Sequence, residues 1–350
     1  MTSLSEIVDV VIGVDTHVHT HSAAALNART GGVLGELTVE ATPDGYQQLV
    51  AFADEHAALR AWAIEGTGGH GAGLARLLGD RREVVVELDR PERSKRRNGA
   101  KSDPLDAVRA AREALSRAKL GTPRAAGDRQ ALSVLLAARR SAVESAGDAQ
   151  RQLFSLVIAA PEVLRTKFRG QKIPAMLRAA ARLRVSCAWD VETATTATVL
   201  RDLARRSVEL SAEADRHEKA IVVIVRSWRP ELLDQRGVGP IVAATLLCAW
   251  SHPGRVRSEA AFAMLAGVAP IPANSGQTIN RFRLNRYGDR QLNRALHTVV
   301  LSRLRYDKST QVYAERRIAE GKTPREIKRC LKRYLARDFY RLLENPPAAA

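Results

Sequence analysis

The chain has 350 residues, of which 45% are hydrophobic and 5% aromatic, and its formal net charge is +17. This length is enough for two or three domains. The N-terminus lacks the basic and apolar regions of a signal peptide, and the longest apolar run, 240–250, is too short to span a bilayer. Cys187, Cys248 and Cys330 match no disulfide or zinc spacing, which indicates a reducing cytosol. We therefore expect a cytoplasmic protein and exclude secreted and membrane proteins.

The positive charge lies in the later parts of the chain. Residues 1–120 carry 15 basic and 17 acidic side chains, residues 121–228 carry 18 and 11, and residues 229–350 carry 22 and 10. Such an excess predicts a polyanionic partner, most simply nucleic acid. A GC-rich genome could raise the arginine content, but it would not by itself place the arginines in one half.

Up to residue 120 the sequence alternates apolar runs with helical patterns. Residues 8–15 predict a buried strand, because five apolar or glycine residues in succession cannot face water on either side. The other predicted elements are strands over 23–27 and 33–39 that form a hairpin, a helix that begins at 42–44, a strand over 59–65, a helix over 69–78, a strand over 83–88 and a helix near 103. This is the order of a ribonuclease-H-like α/β domain.

Four carboxylates fall at the ends of these elements. Asp15 ends the first strand and Glu65 ends the fourth. Asp103 and Asp106 are three residues apart and share one face of the helix whose first turn holds Pro104. Carboxylates that converge repel each other unless a cation neutralises them. The set therefore predicts a site for Mg²⁺, which prefers oxygen ligands. Taken singly, Asp15 and Asp103 could each be an ordinary turn or N-cap residue.

Two groups of basic residues could contact a nucleic-acid backbone. The first lies in the loop before the acid-bearing helix, where a solvated connector is the alternative, and the second follows a loop near residue 275. The first group is Arg93, Lys95, Arg96, Arg97 and Lys101, and the second is Arg281, Arg283, Arg286, Arg290 and Arg294.

From residue 128 the pattern is helical for about a hundred residues. Two interleaved series at intervals of seven predict a coiled-coil-like seam, either within one chain or between copies. The series are Leu203, Leu210, His217 and Ile224, and Ser207, Ala214 and Ile221.

Two short motifs mark the last third of the chain. Gly237-Val238-Gly239 resembles a helix-hairpin-helix turn, whose backbone N–H groups can meet a phosphate, although a plain helical hairpin is the alternative. Ser275 lies in a loop over 266–278 that is rich in Pro, Asn and Gly. A serine beside phosphate-binding arginines could attack a phosphodiester, but taken alone a turn serine is commoner.

The chain as a whole resembles the DEDD-type insertion-sequence transposases, also known as bridge-RNA-guided serine recombinases. The resemblance covers roughly residues 8–340 and rests on motifs in a fixed order. These are Gly13-Val14-Asp15-Thr16-His17, Ile64-Glu65-Gly66-Thr67-Gly68, Lys101-Ser102-Asp103-Pro104-Leu105-Asp106-Ala107, the segment from Gly237 to Leu246, Ala266-Gly267-Val268-Ala269-Pro270, Asn274-Ser275-Gly276, and Gly288-Asp289-Arg290-Gln291-Leu292.

The resemblance implies a three-part protein. Residues 1–122 would form a RuvC-like, that is RNase H-like, α/β domain whose four acids bind Mg²⁺. Residues 123–228 would form a helical coiled-coil linker, and residues 229–350 a mainly α-helical transposase domain with Ser275 as nucleophile. It further implies a covalent link between the serine and DNA, a structured guide RNA that pairs with donor and target DNA, and a homo-oligomer, a dimer or a tetramer. Bound to DNA, the protein would be associated with the nucleoid.

Three other functions compete with this interpretation. His17, His19 and His21 imitate the His-X-His strand of zinc-dependent amidohydrolases, but that fold needs an eight-stranded barrel, and the strand patterns end near residue 88. A metal-dependent, RuvC-like junction-resolving nuclease would use the same four acids and water, with Ser275 non-catalytic. A non-catalytic nucleic-acid-binding protein would keep the acids for structure alone.

Overall fold

The computed structural model describes residues 4–88, 103–118, 120–273, 276, 282–285 and 287–346. The chain divides into two compact units, residues 1–126 and 127–350. The division into three parts at 122 and 228 stays a prediction. None of the described helices combines the length and the apolar character that crossing a bilayer requires.

The first unit is a mixed α/β domain whose elements follow the predicted succession. Its five-stranded sheet has the order β3-β2-β1-β4-β5. The β1–β2 and β2–β3 pairs are antiparallel, while β1–β4 and β4–β5 are parallel. The elements are β1 (Val10–Thr16), β2 (Thr20–Asn27), β3 (Val33–Glu40), α1 (Pro43–Asp54), β4 (Arg60–Glu65), α2 (Ala72–Asp80), β5 (Val84–Leu88) and α3 (Asp103–Ser116).

Strand β1 is apolar or glycine from Val10 to Val14 because helices cover both faces of the sheet. Val11 packs in the cluster that contains α3, whereas Val10, Ile12 and Val14 pack in the cluster that contains α1 and α2. The side chain of Thr42 accepts a hydrogen bond from Gly45 N and so caps α1. This central position of β1 explains the uninterrupted apolar run in the sequence.

The second unit is mainly helical, as predicted, but it also contains a short antiparallel hairpin. The strand patterns in the sequence end near residue 88 and did not indicate this hairpin, because β6 and β7 have three residues each and are too short to show alternation. The elements are α4 (Asp128–Ala159), α5 (Glu162–Phe168), α6 (Ile173–Ala181), α7 (Val191–Trp228), α8 (Pro240–Trp250), α9 (Glu259–Leu265), β6 (Pro270–Pro272), β7 (Phe282–Leu284), α10 (Arg290–Tyr306), α11 (Lys308–Ala319) and α12 (Pro324–Glu344).

The two long helices α4 and α7 pack on each other within the chain. Ser207, Ala214 and Ile221, one of the two predicted series, are buried along α7. Gln150 Nε2 donates to Ser207 Oγ at 3.1 Å, which joins the last third of α4 to the middle of α7. The predicted seam on α7 thus packs against α4 of the same chain. A coiled coil between copies stays a prediction.

Candidate functional site

Asp15 and Glu65 end two neighbouring parallel strands on one face of the sheet. β1 and β4 are paired up to Val14 and Ile64, and the acids are the next residues of each strand. Side chains alternate along a strand, and Ala63 packs with α3 as Val11 does. The alternation therefore directs Asp15 and Glu65 to the face that α3 covers.

Gly13 lets α3 lie directly on β1. A Cβ atom at Gly13 would stand 2.1 Å from the Ala107 carbonyl oxygen and 2.6 Å from the Ala111 nitrogen, closer than real Cβ contacts allow. Asp103 precedes Ala107 by about one helical turn. The contact at Gly13 therefore places the first turn of α3 next to the end of β1.

Asp15, His17 and Asp103 meet at this point. The His17 Nε2 atom lies 3.1 Å from Asp15 Oδ2 and 3.5 Å from Asp103 Oδ1. One ligand atom from each of the three residues falls within 4.8 Å of the others. We name these three residues the acid cluster. They form the group with metal-binding geometry among the described residues of the chain.

The carboxyl group of Asp15 is in an unfavourable environment for negative charge. Its side chain is 16% exposed, and burial raises its pKa above the ordinary value. Interaction with His17 lowers that pKa, whereas the charges of Asp106 and Asp103 raise it. A cation in the acid cluster would relieve both the burial cost and the repulsion.

Asp106 and Glu65 stand beside the acid cluster rather than in it. Asp106 accepts a hydrogen bond from Arg109 at 2.6 Å, yet it is close enough to raise the pKa of Asp15. The backbone oxygen of Glu65 accepts a hydrogen bond from Thr16 Oγ1 at 3.1 Å, which ties the ends of β4 and β1 together. The structure therefore brings all four predicted acids to one edge of the unit. Of these four, Asp15 and Asp103 both contact the Nε2 atom of His17.

The sequence analysis missed the position of His17. It treated His17 as part of a zinc-type His-X-His pattern, but His21 is fully buried and stacks on Tyr46, and the sheet is not a barrel. The amidohydrolase alternative is therefore wrong. The spacing of two between Asp15 and His17 was the available signal, because residues i and i+2 of an extended chain share a side.

The acid cluster fits a divalent cation. Carboxylate oxygens suit Mg²⁺, Ca²⁺ and Mn²⁺, and an imidazole nitrogen is a common ligand of Zn²⁺ and Fe²⁺. The first turn of α3 adds the positive end of its helix dipole, which favours negative groups there.

Several predicted residues lie outside the part of the chain that the structure describes. These are Arg93, Lys95, Arg96, Arg97, Lys101, Ser275, Arg281 and Arg286. Arg283, on β7, and Arg290 and Arg294, on α10, are exposed.

The two ends of the segment that carries Ser275 are held together. A Cβ atom at Gly288 would stand 2.3 Å from the Gly267 Cα, so the backbone crosses itself closely there. Asp289 N donates to Leu265 O at 2.7 Å, and Asn293 Nδ2 donates to Ala266 O at 2.8 Å. The segment thus begins and ends at one fixed point of the helical unit.

Two family models match the chain. A model described as a transposase with the DEDD domain of the IS110 type matches residues 12–159, which include all four acids. A second model, described as the transposase of the IS116/IS110/IS902 family, matches residues 230–315. The two matches, in this order, show that residues 12–159 and 230–315 resemble domains of IS110/IS116/IS902 family transposases. A DEDD domain of this kind suggests dependence on a divalent metal.

Curated relatives resemble parts of the chain. The insertion element IS900 uncharacterized 42 kDa protein of Mycobacterium paratuberculosis is 32% identical over 129 residues, which cover 36% of this chain and 32% of the relative. The insertion element IS110 uncharacterized 43.6 kDa protein of Streptomyces coelicolor is 34% identical over 94 residues, which cover 27% of this chain and 23% of the relative. The matched regions span about a third and about a quarter of these proteins.

Proposed function

We propose that this protein is the DNA transposase of an insertion sequence and that it cuts and rejoins DNA strands at a site built on the acid cluster. The observation that carries the proposal is the meeting of Asp15, His17 and Asp103 at the contact between β1 and α3. All three residues lie within residues 12–159, which match the DEDD transposase domain. The strand order 3-2-1-4-5 supports an RNase H-like, or RuvC-like, fold for this unit.

In this proposal the residues Asp15, Glu65, Asp103 and Asp106 hold Mg²⁺ at the end of the sheet. A cation held there would polarise the scissile phosphate and stabilise the leaving oxygen. His17 would orient the carboxylates of Asp15 and Asp103, since its Nε2 lies within 3.5 Å of both. Burial of Asp15 reduces the screening of its own carboxylate by water, whereas the side chain of Asp103 is 46% exposed.

Ser275 is the proposed nucleophile. A serine hydroxyl is weak at neutral pH and needs activation, and the nearest acid that follows it, Asp289, already caps α10 through Gln291 N and Leu292 N. We therefore propose that the serine acts only when its loop docks on the four acids, on the same chain or on a partner. The close approach of Gly267 and Gly288 holds the two ends of this segment at one place in the helical unit.

A structured guide RNA, donor and target DNA, and a dimer or tetramer complete the proposal. The basic excess of residues 121–350 supports nucleic-acid partners. Work on DNA would place the protein in the cytoplasm and, when bound, at the nucleoid.

Trapping of the protein on DNA tests the serine. Wild-type protein mixed with element-end DNA, Mg²⁺ and the RNA transcribed beside the gene should give a denaturant-resistant protein–DNA adduct, and Ser275→Ala should give none. Ser258→Ala is the matched control, because Ser258 only caps α9 by accepting from Ala261 N. DNA cutting that persists without an adduct in Ser275→Ala would instead identify a junction-resolving nuclease that uses water.

Mixing of two inactive variants tests whether the site is shared. Asp15→Ala and Ser275→Ala proteins should each be inactive alone. If sites are shared between subunits, a mixture should recover some strand exchange. No recovery would mean that each subunit is self-contained, and the shared site would be abandoned.

A further inference from the structure

Helices α10, α11 and α12 enclose a cavity that plays no part in the site above. Its volume is about 200 Å³, and Arg303, Tyr313, Tyr334 and Asp338 line it together with apolar side chains. A second, more open cavity of about 580 Å³ also touches Arg303 and Asp338 and extends to Arg341. Arg303 and Asp338 line both cavities, and we name the two cavities together the α11–α12 groove.

Two tyrosine rings line the smaller cavity, and further arginines lie beside these rings. Tyr313 and Tyr334 meet edge to face, with ring centroids 5.9 Å apart and planes at 83°. The guanidinium of Arg316 lies 5.5 Å from the Tyr313 centroid, and that of Arg337 lies 5.4 Å from the Tyr334 centroid. Tyr334 is 43% exposed, so part of its ring is open to a ligand.

The polar groups of the cavity are available to a ligand. The Tyr313 hydroxyl is shielded from solvent and has no hydrogen-bond partner among the residues that the structure describes. Burial, together with the neighbouring Tyr334, raises the pKa of Tyr313 to about 12. The hydroxyl therefore stays neutral and can donate. The Asp338 carboxylate is 55% exposed; Arg337 Nε lies 3.5 Å from its Oδ1, and the other oxygen can accept at the rim.

We propose that the α11–α12 groove binds one unpaired nucleobase of a single-stranded nucleic acid, with the adjoining sugar-phosphate backbone along Arg303 and Arg341. This rests on the proposed function, which supplies nucleic acid as the partner. Tyr334 and Asp338 lie beyond residue 315, where the family match ends.

The chemistry of the groove favours this ligand. The cavity is smaller than the roughly 300–1,000 Å³ of pockets for drug-sized ligands, so it suits one ring system. Bases stack on tyrosine and arginine irrespective of sequence. The Tyr313 hydroxyl can donate to a ring nitrogen or carbonyl, and Asp338 can accept from an amino or imino N–H. Base pairing occupies these edges, so a duplex would be refused.

The surroundings supply the charge that a backbone needs. Residues 229–350 hold 22 basic and 10 acidic side chains. Arg303 is fixed in place because its Nε donates to Arg236 O at 2.9 Å. Positive groups beside a stacking platform are the usual construction of single-strand binding sites.

The test uses the full-length protein and short single-stranded oligonucleotides that carry one 2-aminopurine, a fluorescent base that stacking quenches. RNA and DNA versions are compared, and the same sequences are offered as duplexes. Wild-type protein should quench the single strands and not the duplexes. Tyr334→Leu should weaken single-strand binding roughly tenfold and abolish the quenching.

A second groove variant and a control variant distinguish loss of base binding from misfolding. Tyr313→Phe removes only the hydroxyl and should weaken single-strand binding roughly fivefold, with folding preserved. Tyr306→Leu is the matched control: Tyr306 is 67% exposed, has Arg305 at 5.3 Å and lines neither cavity. It should leave the quenching unchanged.

Quenching of the 2-aminopurine in RNA alone, in DNA alone or in both shows which nucleic acid supplies the base. Each of these results supports the groove. Quenching that survives Tyr334→Leu and Tyr313→Phe, or a loss of duplex binding as large as the loss of single-strand binding, would overturn it. Absence of strand exchange by the wild-type protein, with intact quenching, would reject the proposed function and leave the groove standing.

Discussion

In the α/β unit, acidic side chains are gathered at the ends of two parallel strands, whereas in the helical unit basic side chains are spread along helix surfaces. Asp15 and Asp103 are held within 3.5 Å of the same His17 nitrogen. Arg283, Arg290 and Arg294, by contrast, are exposed. The first arrangement depends on the position of each atom, and the second on the total charge. Single substitutions should therefore have large effects in the first unit and small ones in the second.

The largest effect is expected from the acid cluster. Asp103→Asn should lower the rate of DNA strand cleavage at least about a hundredfold. Substitution of a residue that only hydrogen-bonds to a metal ligand typically costs about 10–100-fold in activity or metal affinity. Cleavage assays with and without EDTA measure it. Asp80→Asn is the control, since Asp80 is exposed and outside the cluster, and its rate should stay within about twofold.

Thermal stability measurements should show whether a variant of the acid cluster loses cleavage activity because it misfolds. Burial raises the pKa of Asp15, so above that pKa the ionised side chain costs stability. Asp15→Asn should therefore have an equal or higher Tm than wild type at pH 7 without metal, and the difference should shrink as the pH falls. A lower Tm at pH 7 would show that Asp15 is structural, as in a non-catalytic binding protein.

The next largest effect concerns the contact that positions the cluster. Gly13→Ala should lower the free energy of unfolding by about 3 kcal/mol, because its Cβ would stand 2.1 Å from the Ala107 oxygen. Chemical denaturation measures it. Gly79→Ala, in α2 with no atom within 4 Å of its Cβ, should be neutral or stabilising by up to about 1 kcal/mol. Equal stability of the two variants would mean that α3 does not lie so close to β1.

A smaller effect is expected at one corner of the helical unit. Asp307 caps α11 by accepting from Thr310 N at 2.9 Å and binds Arg236 at 2.8 Å. Asp307→Ala should lower the free energy of unfolding by about 1–2 kcal/mol at pH 7. Asp148→Ala, which removes an exposed ion pair with Arg151, should cost less than about 0.5 kcal/mol.

The stability that Asp307 contributes should depend on pH in a definite direction. Hydrogen bonds from Ser309 and Thr310 hold the pKa of Asp307 well below its usual range. A lowered pKa contributes stability above the ordinary value of 3.8, and that stability is lost as the pH falls further. The gap between wild type and Asp307→Ala should therefore be full at pH 6 and narrow below pH 3.8. A gap independent of pH would show that the capping carboxylate is not involved.

The sequence predicted the α/β unit well because its elements depend on local patterns. The structure confirms the apolar run that ends at Asp15, the helix that begins at 42–44 and the order of eight elements. The α4–α7 pair was predicted as a helical seam, but whether its partner lay in the same chain required the tertiary structure. Periodicity records which residues are buried and does not record what buries them.

The contacts that complete the candidate site were not predictable in the same way. Gly13 matters because a helix about ninety residues later lies on it, and no local signal marks such a contact. His17 was considered only within a zinc-type His-X-His pattern, which the sequence analysis argued against, and its place beside Asp15 was not predicted. The hairpin of β6 and β7 has only three paired residues on each side, and that is too few for a pattern.

The smallest effect is expected from one arginine of the basic surface. Binding to nucleic acid should weaken steeply with salt, because each neutralised phosphate releases counterions. Arg283→Ala should reduce the slope of log affinity against log salt concentration by about 1, alike for different sequences. Arg29→Ala in the acidic α/β unit is the matched control, since Arg29 is equally exposed, and it should leave the slope unchanged. Titrations of labelled DNA and RNA between about 50 and 200 mM salt cover the range in which such slopes are measured. A slope that falls equally for both variants would mean that the whole chain, and not the helical unit, supplies the electrostatic contact. Affinity that does not vary with salt would contradict the division of charge between the two units altogether.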